Sequence, residues 1–321
     1  ILCREQEHSV FGCVPFITMS DLDHQDITSL QERLHSLVLH PLQHGNWSQR
    51  VESLHHLLAS VEGSLAAILG GKSLRTVPVV LSCLSKWLQQ QPAEEDVPVS
   101  EFHLAVYLAL SAVSRLVCVS LKNAKNVLRH DPELRVLRQA LFLPLRSANG
   151  SKDATPLQCR VTATAAFTIS MLVTLMPGRA LVGLSGGLVD FQSQLCTLLL
   201  GFWSRRWESG CSNGEQESTA LSRGMPWELE EGRVVVDQGL EREQEGGDTN
   251  ESSPMVDCVE ECFRMLRTFL CYSDEFREAT SSSGSTLLEF LMDALLNLRI
   301  CWTSDELVNF HPEFIACMAE V

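Results

Sequence analysis

Apolar residues recur along this chain three and four positions apart, in run after run, with short polar joints between the runs. Ile27, Leu30, Leu34, Leu37 and Val38 form one series, and Val51, Leu54, Leu57, Leu58 and Val61 form the next. That spacing lays side chains along one face of an α-helix. Pro41 and Gly45 close the first series, and Gly63 closes the second. Further helices are predicted over Val77 to Gln90, Glu101 to about Leu121, Asp131-Pro132 to about Phe142, Thr155-Pro156 to about Met176, and Leu188 to Trp207. The Asp-Pro and Thr-Pro pairs read as a cap followed by a first-turn proline. After Met255 come three more: Met255 to Tyr272, and two that follow the capping-box patterns Thr286-x-x-Glu289 and Thr303-x-x-Glu306. About ten helices result, as short antiparallel neighbours, and no stretch shows strand alternation. The expected fold class is all-α.

The pattern divides the chain. Residues 1–20 read as an irregular lead-in, 21–207 as a helical array, and 255–321 as its continuation. Between them, residues 208–254 hold twelve acidic residues against three Arg, a net of −9 (3 − 12). So polar a tract buries too little apolar surface to offset its ordering entropy, so a disordered acidic insertion is expected. The chain opens at Ile1 and ends inside Phe314-Ile315-Ala316-Cys317-Met318, which suggests a piece of a larger protein.

Charge changes the picture next. A net charge of −15 works against binding to phosphate backbones and to anionic membrane surfaces, and suits partner proteins with basic patches. The best membrane candidate, Val161 to Met176, is shorter than the roughly 20 apolar residues a bilayer needs. Twelve Cys are scattered through apolar stretches without a CxxC pair, as small buried hydrophobes are. They imply a reduced, intracellular protein, cytoplasmic or nuclear.

The stretch Cys258–Val321 carries a resemblance. Cys262-Phe263-Arg264-Met265-Leu266-Arg267-Thr268-Phe269-Leu270-Cys271-Tyr272-Ser273, then Leu287-Leu288-Glu289-Phe290-Leu291, is an apolar helix, a polar joint and a second apolar helix. It resembles the armadillo/HEAT class of α-solenoid, from whose diverged repeats large centriolar scaffolds are built. The resemblance implies stacked helix pairs with a period of about 40 residues, one continuous core, and protein–protein scaffolding without chemistry of its own.

Few residues suggest chemistry. Gly183-Leu184-Ser185-Gly186-Gly187 fits G-x-S-x-G, the pattern of a serine hydrolase using Ser185, but that elbow requires a strand before it. Only one His, His311, lies downstream. Six of the ten His fall between His24 and His56, where Pro41 between His40 and His44 works against a helical i,i+4 ligand pair. Cys258 and Cys262 are i,i+4 with no partner pair in the sequence. Trp203-Ser204-Arg205-Arg206-Trp207 is a basic, aromatic helix end. Trp203, Arg205, Arg206 and Trp207 are the candidate partner-binding residues, and the same cluster supports an alternative nucleic-acid-associated reading. No cofactor, metal or small-molecule substrate is expected; the expected partners are other proteins.

Overall fold

The computed structural model describes residues 32, 34–61, 75–90, 99–146, 150–185, 187–214, 254–282, 285–301 and 304–320. Thirteen α-helices lie among them, with no strand, so the chain is all-α. The predicted lead-in 1–20, most of the acidic insertion (215–253) and the cap at Thr303 lie outside the described residues.

The first helix, α1 (His40–His44), continues directly from a π-helical turn, His35–Leu39. Pro41 sits in its first turn, where the π-turn gives way to α1, so the helical run passes through it and closes only at Gly45. Then follow α2 (Trp47–Val61), α3 (Thr76–Gln90) and α4 (Val99–Val119). The apolar run predicted to continue through Leu121 breaks at Ser120, whose extended backbone (φ −157°, ψ 132°) and hydroxyl cap a separate helix, α5 (Leu121–His130). Helix α6 (Arg135–Leu141) begins later than the Asp131-Pro132 signal suggests, because Leu134 takes a left-handed conformation (φ 50°) before it. Asp131 still works as a cap: its Oδ2 accepts from the N–H groups of Val136 (3.1 Å) and Leu137 (3.4 Å). Two 3₁₀ turns, Leu143–Arg146 and Gly150–Asp153, lead to α7 (Pro156–Leu175), where Thr155 and Gln158 form a reciprocal capping box.

Helix α8 (Pro177–Ser185) is one the sequence pattern did not separate. Helix α9 (Leu188–Gly214) runs past the boundary expected at 207. After the acidic tract come α10 (Pro254–Tyr272), α11 (Asp274–Ser281), α12 (Thr286–Cys301) and α13 (Ser304–Glu320). Ser285, one residue before the expected Thr286, caps α12.

Five helices form a row. Helix α2 packs on α4, α4 on α7, α7 on α10 and α10 on α13. Cross-contacts fix their direction. At the starts, Trp47 meets Phe102 (ring centroids 5.6 Å apart), and His103 Nε2 lies 3.4 Å from Gln158 Nε2. Towards the ends of α7 and α10, the Ser170 and Thr268 hydroxyls bond at 2.8 Å. Phe263 meets Phe314 at 5.0 Å, and Cys271 reaches Glu320. All five therefore point the same way. A second set, α3 with α5 and α6, then α9 with α12, fills the intervals.

The core is continuous along the row, built from Leu, Val, Ala and Phe, including Leu54, Val106, Leu172 and Leu266. A chain of rings, Phe142–Phe191–Phe269–Phe276, spaced 5.2–5.5 Å, joins α9 to α10 and α11. Buried Gln192 donates from Nε2 to Phe276 O (3.1 Å) and Thr280 Oγ1 (2.9 Å), tying α9 to α11. Ser100–Val119 is the one stretch among the described residues long and apolar enough to cross a membrane, and 67% of it is buried within the protein. Of the predicted candidate, Val161 to Leu175 lies in a different helix, α7, and Met176 is the break after it.

Candidate interaction surface

The expected partner-binding residues fall at a junction of helices. Trp203 on α9 is 5% exposed, and its ring meets Phe263, Phe290 and Phe314 at 6.4, 5.8 and 6.5 Å. These rings come from α10, α12 and α13, so Trp203 is the apolar pin of the C-terminal region, and its ring is spent on that packing. Arg205 donates from Nη1 to Ala154 O (2.8 Å), bracing α9 against the turn before α7. The side chains of Arg206 and Trp207 lie outside the described residues.

Residues 172–182 lie in α7, the Met176 break and α8, so no strand precedes Gly183 and the strained strand-to-helix elbow is missing. The glycine has a packing reason instead. A Cβ on Gly183 would meet Pro132 O at 1.9 Å, so α8 approaches the 131–134 turn too closely for any side chain there. The Ser185 side chain lies outside the described residues.

The histidines form a shallow cleft of about 340 Å³ lined by Leu37, His40, His44, Gln49, Glu52 and His56. With Pro41 in the first turn, α1 is regular, and the His40 and His44 rings lie 5.1 Å apart. His56 Nε2 is 4.0 Å from Glu52 Oε1. Among the described residues no three His, Cys, Asp or Glu converge as metal ligands would.

Cys159, Cys258 and Cys262 meet in the core between α7 and α10, a pairing of 159 with 258 that sequence separation concealed. Burial pushes the Cys258 thiol well up, and its neighbours Cys159 and Cys262 add to that. The hydrogen bond from Cys258, with Arg205 nearby, lowers the Cys159 thiol.

Charge is distributed unevenly over the surface. On α10, Arg264 is paired with Glu260 and Glu261 of its own helix and with Glu313 of α13 (3.6 Å), and Arg267 also reaches Glu313 (3.3 Å). Burial pushes the Glu261 carboxyl up to about 7 against the pull of Arg264. Its Oε2 has no hydrogen-bond partner among the described residues.

Helix α5 is the reverse case. Asn123, Ala124, Asn126, Val127 and Leu128 are buried, while Lys122, Lys125 and Arg129 are exposed on the opposite face. Among the described residues none of these three cations has an ion-pair partner. The helix is rigidly seated: Ser120 Oγ accepts from Lys122 N (3.1 Å), and buried Asn123 donates from Nδ2 to Leu116 O (2.9 Å). Buried Asp131 follows it. Burial raises that carboxyl, and backbone donors with Arg135 oppose the rise. Beside the cations, Val119 and Leu121 are 49% and 48% exposed. Sequence reasoning missed this face because α5 has few apolar positions and the chain as a whole is acidic. The i,i+3,i+7 spacing of its cations was the available signal.

No protein family, curated protein or solved structure matches this chain.

Proposed function

We propose that the chain is a non-enzymatic protein-interaction scaffold, built as an α-solenoid of armadillo/HEAT-like helical repeats interrupted by the acidic tract. One observation carries this reading: five helices in parallel register, each packed on the next, with a second set filling the intervals. Helices stacked this way contact only their neighbours and leave a long surface for partners. The row helices begin at residues 47, 99, 156, 254 and 304, hence 52, 57, 98 and 50 residues apart. The long interval holds the acidic tract. The intervals of 57 and 50 exceed the armadillo period of about 40 because each carries an extra short helix, α5 in the first and α11 in the second. The partners are other proteins inside the cell, at the centrosome or cilium base or in the nucleus, and the reading needs no cofactor, metal or catalytic residue.

Two measurements test it. Small-angle scattering of the chain is expected to give an elongated particle, and a compact sphere would sink the solenoid. Proximity labelling in cells, paired with microscopy, is expected to enrich one assembly, such as centriolar or chromosomal proteins. A diffuse signal with no enriched set counts against scaffolding.

A further inference from the structure

Resting on that scaffold reading, we infer that helix α5 is a docking face for an acidic, apolar-anchored segment of a partner protein. Lys122, Lys125 and Arg129 answer its carboxylates, and Val119 and Leu121 seat its apolar side chain.

The geometry is that of a built stripe. Positions 122, 125 and 129 share one helix face, and seven residues of helix span about 10 Å, the length of a few residues of extended peptide. All three side chains are exposed, and the opposite face is locked into the core. Val119 and Leu121 flank Ser120 at the start of the stripe, so an apolar contact lies within reach of the first cation.

Arg129 sits in the last turn of α5, where a cation suits the helix dipole, but among the described residues folding accounts for neither Lys122 nor Lys125. Several cations elsewhere are answered: Arg264 and Arg267 by Glu313, Arg277 by Asp274 (3.3 Å), Arg135 by Glu133 (2.6 Å), Arg138 by Asp190 (3.6 Å). The nearest acids in sequence are already committed, Asp131 to the α6 N–H groups and Glu133 to Arg135. Lys122 also lies in the first turn of α5, which has no acidic residue, so it faces the positive end of the helix dipole. A cation placed against the dipole, without a partner among the described residues, contributes nothing to the helix that carries it.

The chemistry selects a peptide over a polyanion. Charges separated by more than the Debye length, about 8 Å at physiological salt, are largely screened, so a short acidic segment feels mainly the stripe. A nucleic-acid duplex or an anionic bilayer would extend over the remainder of a protein whose net charge is −15.

Fluorescence anisotropy tests the assignment, using the full chain and a short fluorescein-labelled peptide of alternating Glu and Leu. Saturable binding that weakens with salt is expected, about tenfold weaker in K122E/K125E and weakened also by Leu121→Ser. Arg160→Glu, an exposed charge reversal on α7, is expected to leave it unchanged. No saturable binding by the unmodified chain overturns the proposal, as does an equal loss in R160E. Tighter binding to phosphatidylserine vesicles or a short DNA duplex, abolished by K122E/K125E, replaces the peptide with that ligand. Proximity labelling separates this inference from the scaffold reading. A partner set identical for the unmodified chain and K122E/K125E removes α5 alone, whereas the absence of any set in both removes the scaffold.

Discussion

Helices α5 and α10 are both amphipathic and both carry basic residues on their outer faces, yet they use charge in opposite ways. On α10, Arg264 is enclosed by Glu260, Glu261 and the Glu313 of α13, so its charge holds one helix of the row to the next. On α5, Lys122, Lys125 and Arg129 face outward with no such enclosure among the described residues. The first arrangement joins elements whose interface also holds buried thiols and rings. The second sits on a helix already fixed by Asn123 and the Ser120 cap. Charge inside an interface is a stability element, whereas charge on a fully anchored helix is free for external use.

The most disruptive test removes the apolar floor under the α10 network. Trp203→Ala is expected to cost about 3–5 kcal/mol, because it deletes a ring packed against three Phe from three helices. Urea denaturation measures it; a loss under about 1 kcal/mol would mean that α9 and α10 do not depend on each other. Next, Arg264→Met leaves three carboxylates facing one another. Leaving a buried charge unanswered costs about 3–5 kcal/mol, and partial exposure cuts this to about 2. An unchanged midpoint would place these pairs among inert surface contacts.

Glu261 sharpens the same point through pH. Its carboxyl titrates near 7 in the folded chain against the usual 4.5, with Arg264, Glu260 and Glu313 around it. Below about pH 4.5 both folded and unfolded chains keep the proton, and between 4.5 and 7 only the folded chain does. Its contribution is therefore complete at low pH and lost as pH rises through 7. Glu261→Gln, which cannot ionise, is expected to flatten this part of the stability–pH curve by about 1–2 kcal/mol. Parallel curves for the two proteins would mean that Arg264 fully offsets the burial.

Much of this was legible in the sequence, and the gaps follow a rule. The long apolar series (47–61, 76–90, 156–175, 254–272) were readable because their buried faces repeat at helical spacing. Helices α5, α8 and α11 were not: each is short, α5 and α11 are capped by Ser120 and Ser273, which read equally well as a loop, and α8 opens at Pro177-Gly178, which reads as a helix end. Pro41 misled for the same reason, since a proline reads as a stop inside a helix but is tolerated in its first turn. Trp203 and Arg205 resembled a binding cluster because basic aromatic segments serve surfaces and cores alike. Burial, which sequence does not report, separates the two, and it also reveals Cys159 beside Cys258.

The smallest expected effect discriminates most sharply between the two helices. Lys122 occupies the first turn of α5, where the exposed N–H groups favour an anion. Lys122→Glu is therefore expected to raise stability by about 0.3–1 kcal/mol while it weakens acidic-peptide binding, so the two readouts move in opposite directions. A residue kept for folding behaves differently: Arg264→Met on α10 is expected to lower stability and leave peptide binding unchanged. Urea midpoints and peptide anisotropy on the same protein samples decide the matter. A destabilised K122E protein would show that Lys122 has an internal partner, and the distinction between the two helices would then fail at its most exposed point.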